Sequence, residues 1–502
     1  MKIFKPSEDG FFIARVLYFG LRQKYDIMIR SADVIEKLKA DVSSDDFIAR
    51  DFSADGAAGA LLYVDGMSDK LLLEQSVVKP LLSMKWTGVG IADVKKLPYG
   101  EEIKEIEETA AGQTVANGDL VLALDGAEKL YEISLRNYPH RAVAEPPTET
   151  VIKGPREGFT EEIKTNVSLV RRRIKSPRLK VKKFTVGKYG NTTVMMVYID
   201  DIVDKDVVLR ISEKIKSINI DGIIGAEYVS RFVCEHAGSI FNQSGMTEKP
   251  DIVSAKILEG RVALFIDGTP VVITYPYVLL ESFQDGYDYY VQNKRATMLR
   301  LIRIIGAFMA VLLPGLYVAF QEYHYQLMPL KFLISLLNSV SGIPFTPPME
   351  MLFVLALFEV LNQASVRMPR YVGTALSIVG AIVLGETAVN AGLLSSPTVL
   401  VIAISAIGIN CVPDLVDTFS ILRLAVLITG SILGLFGIVV FSMGLIAYLC
   451  GLDSFGSPYL APFAPMITAD FKDAVAKENL LSFEKRPYSV PTKNRRRMRR
   501  DR

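Results

Sequence analysis

The sequence predicts two unlike halves: an α/β cytoplasmic half built of two related subdomains, then an α-helical polytopic membrane domain. Three observations carry this. Charges recur every few positions up to about residue 295 and almost vanish between about 300 and 465. Four apolar runs in the first half each end in an aspartate, at Asp65, Asp125, Asp200 and Asp267. The second half holds several stretches near the length of about 20 residues that a helix needs to cross a bilayer. The expected divisions are 1–140, a linker at 141–154, 155–295, a membrane domain of four to six helices at 296–465, and a basic tail at 466–502. The 502 residues are too many for one small domain, and the formal charge of +2 averages over unlike parts.

The runs of the first half are LLYVDG, LVLALDG, VYIDD and ALFIDG. Short runs of Val, Leu, Ile, Tyr and Phe suit buried strands. The first and third lead into helical patterns, SDKLLLEQSVVKPLL and VDKDVVLRISEKIKSI; the second and fourth end in Asp-Gly turns. This order, given twice, indicates a duplication. Asp-Gly is turn chemistry, and Asp ahead of a helix is a cap, so the aspartates are expected to serve structure rather than catalysis. The proline- and charge-rich YPHRAVAEPPTET separates the copies.

Catalytic and cofactor signals are missing. No strand is followed by a GxGxxG or GxxxxGK[ST] loop. Cys234, Cys411 and Cys450 form no CxxC, which argues against a zinc site or a disulfide framework. His140, His236 and His324 are isolated, and no nucleophile–base set is evident. An enzyme, a cofactor and a bound metal are therefore not expected. The start, MKIFKPSEDGFFIARVLYFG, has an acidic break and does not read as a signal peptide, so the first 300 residues are expected in the cytoplasm.

In the second half, apolar helices are expected to start near residues 304, 350, 371, 397 and 424, the last running uncharged to Leu452. Leu327–Val340 is shorter and either spans obliquely, re-enters or lies at the interface. The basic cluster Lys294, Arg295, Arg300 and Arg303 places the first half inside, and the basic tail should lie inside too. That requires an even number of crossings: six if Leu327–Val340 crosses, four if one of the five re-enters. The tail, with nine Lys or Arg from Lys485 onward against Asp501, is expected to be solvated, disordered and held to anionic lipid head groups. It lacks the interleaved aromatics of a nucleic-acid binder. A second basic stretch, Lys153–Lys183, holds eleven Lys or Arg; it is either a solvated helix face or a contact with a subunit or membrane surface.

Several stretches together resemble the A-subunit family of bacterial spore germinant receptors. They are Gly154-Pro155-Arg156-Glu157-Gly158-Phe159 with Asn166 and Leu169–Arg173; Gly260–Tyr290; Arg367–Ile407; and SPYLAPFAP, Ser457–Pro465. Two positions depart from the family pattern: Tyr371 stands where proline is usual, and Glu386 where glutamine is more frequent. The resemblance implies a homo-oligomeric, nutrient-gated ion channel of the spore inner membrane, or a sporulation-stage paralogue. It implies a transporter-like B subunit and a lipoprotein C subunit as partners, besides membrane lipid. It also marks Gly154, Pro155, Arg156, Glu157, Gly158, Phe159, Asn166, Arg171, Arg172 and Arg173 as assembly or subunit-contact residues.

The carboxylates of the apolar half are costly and therefore informative. Val372, Val379, Val383, Glu386 and Asn390 fall along one helical stripe, an apolar narrowing with a polar end. Repeated around a ring, this stripe is a candidate gate with a cation-favouring carboxylate ring, and Glu359 is a further pore candidate. The alternative is that Glu386 pairs with another helix, while Gly373, Gly380 and Gly385 serve close packing. A membrane-anchored scaffold and a small-solute transporter stay open beside the channel.

Overall fold

The computed structural model describes residues 29–86, 88, 90–98, 103–135, 149, 153–367 and 383–498. The chain divides into two compact units. The first comprises residues up to 233, 246–275 and 490–495; the second comprises 234–245, 276–489 and 496 onward.

The first unit contains the duplication. One sheet consists of β1 (Phe47–Ala54), β2 (Ala57–Val64), β3 (Lys104–Ile106), β4 (Leu120–Leu124) and β5 (Leu130–Ile133), in the order β1-β2-β4-β5-β3. The other consists of β6 (Leu179–Val186), β7 (Thr192–Ile199), β8 (Gly245–Thr247), β9 (Val262–Ile266) and β10 (Val272–Tyr275), in the order β6-β7-β9-β10-β8. The orders are the same, copy for copy. The registered pairs are antiparallel, beginning with Phe47 opposite Val64 in one copy and Leu179 opposite Ile199 in the other.

The central strands read as unbroken apolar runs because each sheet is covered on both faces. In the first copy, α1 (Ser31–Val42) and α3 (Glu108–Ala116) set Val34, Leu38, Ala111 and Val115 against Ala60, Leu62 and Val121. Helix α2, over 70–83, sets Leu73, Val77 and Leu81 against Leu61, Leu122 and Leu124 on the opposite face. A strand buried on both sides has no polar face to alternate with. In the second copy, α4 (Ile163–Arg173) and α7 (Pro250–Leu258) cover one face; α5 (Lys205–Ser217) and α6 (Ala226–Val233) follow β7 in sequence, as α2 follows β2.

The four aspartates have structural work. Asp125 Oδ1 accepts the Ser31 amide at the start of α1 (2.7 Å), and Asp267 Oδ1 accepts the Ile163 amide at the start of α4 (3.4 Å). The adjacent glycines donate alike, Gly126 to the Ile29 carbonyl and Gly268 to that of Glu161. Asp65 and Asp200 close β2 and β7. Asp69 caps α2 through the Leu71 and Leu72 amides, and Asp204 caps α5 through the Asp206 amide.

The second unit is helical: α8 (Asn293–Glu322), α9 (Leu330–Val340), α10 (Pro347–Arg367), α11 (Ser396–Ile409) and α12 (Val416–Cys450). Two stretches, Asn293–Glu322 and Pro413–Cys450, are long and apolar enough for membrane spans. The second is not one rod. A straight helix would separate Thr418 from Tyr448 by about 45 Å. Both meet one short segment instead: the Thr418 hydroxyl donates to the Ile240 carbonyl at 2.6 Å, and the Tyr448 ring lies 6.4 Å from that of Phe241. The chain therefore folds back at Gly434, whose φ of 61° and ψ of −146° break the helical path. A Cβ there would also fall 2.9 Å from the His324 ring. This corrects the expected single helix running to Leu452: the stretch is a hairpin of two legs, 416–433 and 435–450.

The first leg runs alongside α8 in the same direction. Gly315 faces Val426, and Tyr323 donates to the carbonyls of Ser431 and Ile432. Helix α11 runs the other way, with Gly408 against Gly306 and Thr398 beside Tyr317. Glycine is needed for such approach: a Cβ on Gly315 would sit 2.6 Å from the Val426 carbonyl oxygen, and one on Gly408 2.4 Å from that of Gly306. A Cβ on Gly385, which the alternative reading assigned to the same purpose, would meet nothing within 4 Å among the described residues; Gly373 and Gly380 lie outside them.

The described part of the tail, to residue 498, is folded where disorder was expected. Residues 490–495 belong to the first unit: Val490 is fully buried, and the Lys493 amide donates to the Ile202 carbonyl at 2.9 Å. In the second unit Arg486 is buried and bonds the Arg496 carbonyl.

Candidate functional site

The polar groups that chemistry cannot ignore are the buried charges, and each unit has its own set. In the first unit they gather on α4, the helix of the GPREGF motif. Arg171 is 1% exposed and grips Asp46 with two bonds, Nε to Oδ2 at 2.6 Å and Nη2 to Oδ1 at 2.7 Å. Ser44 completes the carboxylate's shell, and the guanidinium also reaches the Leu179 carbonyl. Arg172 and Arg173 both bind Glu157. Asn166 is buried, accepts the Thr160 amide and donates to the Thr160 carbonyl, which fixes the loop ahead of the helix. Phe159 packs edge-on to Phe265, and Gly154 adopts a φ of 126° that favours glycine. Arg156 stays exposed.

The Arg171–Asp46 pair joins the two copies. Besides Arg171–Asp46, Lys164 binds Asp65 at 2.7 Å. Lys180 donates to the Asp41 and Val42 carbonyls at the end of α1, where a cation complements the helix dipole. The Asp45 amide bonds the Val181 carbonyl, and the Lys183 amide bonds the Asp45 carboxylate. Within Lys153–Lys183 the structure thus spends several basic residues inside the chain, as the joint between subdomains.

The electrostatics follow. Partial burial pushes the Asp65 carboxyl up, but hydrogen bonds from Lys164 and Lys70 together outweigh it, and its pKa falls below the usual carboxylate value. For Glu157 burial is likewise overcome by Arg172 and Arg173, and its pKa is lowered. Burial pushes the Lys180 ammonium down.

In the second unit, Arg423 is completely buried. It donates to Glu359 Oε1 at 2.6 Å and to the Ser405 hydroxyl at 3.2 Å, and it lies over the Phe358 ring at 5.7 Å. Among the described residues its Nε has no hydrogen-bond partner. Glu359 is 33% exposed, so one side of the pair opens to the surface of the protomer. Glu350, fully buried, accepts the Ser395 amide at the start of α11. Glu386 and Asn390 are exposed, in a helical turn following the undescribed segment. Val372 and Val379 lie outside the described residues, and so does the side chain of Val383.

A third cluster stands at the start of α8. Asp288 is fully buried and takes Arg300 at 3.1 Å and Arg303 at 2.8 Å; Arg300 also binds Asp473 at 2.9 Å. Lys477, buried, donates to the Asp288 carbonyl. Two arginines read as free flanking charges are thus ion-paired. Arg423, which stands just before the last apolar run, was not among the residues singled out from the sequence. Its signal was an arginine opening a run of 29 uncharged residues, with Glu359 available to meet it. Among the described residues no group of three or more His, Cys, Asp or Glu is arranged to hold a metal.

Comparison with known proteins places this arrangement. The profile of the family described as Bacillus/Clostridium GerA spore germination protein matches residues 33–489. Spore germination protein KA of Bacillus subtilis (strain 168) is 33% identical over 468 residues, covering 91% of this chain and 86% of that protein. The membrane protein YfkQ of the same organism is 34% identical over 449 residues, covering 88% and 87%. The crystallised N-terminal domain of the A subunit of the Bacillus megaterium spore germinant receptor GerK3 aligns with a TM-score of 0.38 at 23% identity, over 48% of this chain and 92% of that one.

Proposed function

The chain belongs to the GerA family of spore germination proteins, and from that premise we propose that it is the A subunit of a spore germinant receptor, an oligomer that conducts ions when nutrient binds. It is a membrane protein. The ion-conducting part of the proposal is carried by one observation: Glu386 is exposed on a single protomer within an apolar helical unit. A carboxylate there is costly unless it faces water or another subunit. Copies arranged in a ring bring Glu386 and Asn390 together around a water-filled path, and a ring of carboxylates favours cations. Val372, Val379 and Val383 supply the apolar narrowing of this proposal.

The hairpin supports a placement for both ends. Folding back at Gly434 turns the last apolar stretch into two legs, so that stretch returns to the side from which it starts. The chain then begins and ends its passage on one side, the cytoplasmic one by its basic residues. The spore inner membrane, a transporter-like B subunit and a lipoprotein C subunit belong to the same proposal.

The test is cation flux. The purified chain is reconstituted in liposomes and potassium release is followed, with the detergent-corrected mass measured by light scattering. We expect an oligomer of three or more chains, and a Glu386→Gln variant with changed conductance or cation preference. A monomer whose flux does not respond to Glu386→Gln would instead favour the scaffold.

A further inference from the structure

We propose that α9 is a lipid-facing helix lying in the plane of the membrane interface at the far end of α8, a surface contact with phospholipid and not a crossing. Four observations carry it. The helix has 11 residues, about 16 Å of rise, roughly half of a hydrocarbon core of about 30 Å. Its faces differ. Leu330, Leu333, Ile334 and Leu337 lie along one side, while Lys331, Ser335, Asn338 and Ser339 lie along the other. The apolar side is uncovered: Leu330 is 70% and Leu337 57% exposed, and Leu336 is the one buried residue of the helix. Finally, α9 directly follows α8, which is long and apolar enough to span a membrane, and precedes the 21-residue α10.

Lipid is the occupant that this continuity favours. The chain leaves α8 through Tyr323, His324 and Tyr325, and both tyrosines are about half exposed. Tyrosines at the end of a spanning helix mark the head-group level, where an amphipathic ring has one apolar and one wet side. A helix that starts five residues beyond Tyr325 stays at that depth unless it dives, and its polar side argues against diving: Lys331, Ser335 and Asn338 would enter hydrocarbon. Laid flat, the same helix puts its leucines into the acyl boundary and its polar side into water. Leu336 is buried, and α9 touches α11, so the helix is held against the unit. Of the three placements open to Leu327–Val340 from sequence, this one leaves no polar side chain in the hydrocarbon. The inference rests on the helical unit lying in a bilayer, not on ion conduction.

The test uses tryptophan as a depth gauge in the full chain. Trp86 is the single tryptophan, so Trp86→Phe gives a dark background. Leu337→Trp, Ser335→Trp and Met443→Trp are each reconstituted in phosphatidylcholine–phosphatidylglycerol vesicles with nitroxide at acyl carbon 5 or 12, or with aqueous acrylamide. Met443 is exposed midway along the second leg and reports the membrane placement itself. For Leu337→Trp we expect quenching by carbon 5 to exceed that by carbon 12 about twofold. Ser335→Trp should yield mainly to acrylamide, and Met443→Trp mainly to carbon 12. Stronger carbon-12 quenching at Leu337 would mean a crossing or re-entrant helix and overturn the proposal. Absence of lipid quenching at Leu337, with Met443 quenched, would mean a protein partner such as a second copy, and would also overturn it. Failure at Met443 as well would remove the membrane placement instead. Should Trp86→Phe not fold, the wild-type signal is subtracted.

Discussion

Two buried arginines, one in each unit, meet a carboxylate in different ways. Arg171 and Asp46 are joined by two bonds, and a hydroxyl and a carbonyl complete the set. Arg423 has one short bond to Glu359 and one to a hydroxyl, its Nε is unpartnered among the described residues, and Glu359 is partly open. The first pair is a fastener, saturated and closed. The second keeps a charge and an unmet donor inside an apolar unit, where such groups are expensive. A purely mechanical joint there would be served better by packed apolar side chains. The difference marks the Arg423–Glu359 pair as the one whose loss should reach beyond stability.

The comparison can be broken most sharply at Arg171. Arg171→Ala strands a buried carboxylate and should cost about 3–5 kcal/mol. The measurement is denaturant unfolding of the first unit, followed by Trp86. Replacing both partners, Arg171→Met with Asp46→Leu, should recover most of that loss, because neither charge is then stranded. A smaller effect is expected at Glu359. Glu359→Gln leaves Arg423 without its counter-charge but keeps a hydrogen-bond acceptor, so about 1–3 kcal/mol is expected in thermal unfolding. Under the proposed channel function, potassium flux of this variant should fall by more than the folded fraction does; equal falls would make the pair a fastener like the first.

The smallest effect concerns the partly exposed carboxylates that α4 binds. Asp65 and Glu157 have folded pKa values below their ordinary ones. Their stabilisation is therefore fully present above the unfolded carboxylate values near 4, and it fades as pH falls through the lower folded values. Unfolding midpoints measured from pH 6 downward should decline on the acid side, and Asp65→Asn should flatten that decline by lowering the midpoint at neutral pH, where the charged pairs are intact, while changing little at acid pH, where Asp65 is already protonated.

Much of the first unit was legible because its signals are local. Apolar runs, Asp-Gly turns and Asp caps are set within a few residues, and they recur in order. The joint between the copies was less so. Arg171 and Asp46 stand 125 residues apart, and nothing near either names the other. The basic stretch around α4 therefore left two outward-facing readings open, and the contacts turned out to lie within the chain. Of the gate candidates, Glu359 was legible as a costly carboxylate, but its partner, 64 residues away, was not.

By itself the sequence determined the division into a charged and an apolar half, the duplication, the capping and turning aspartates, and the family resemblance. These depend on composition, period and short motifs, which are properties of a local window. The tertiary structure alone decided that 416–450 folds back on itself, that the basic tail docks, and which charges are paired. A glycine in an apolar run serves equally as a packing notch or as a reversal. Gly315 and Gly434 look alike in sequence; only the neighbours of each, a carbonyl oxygen in one case and a left-handed turn in the other, tell them apart.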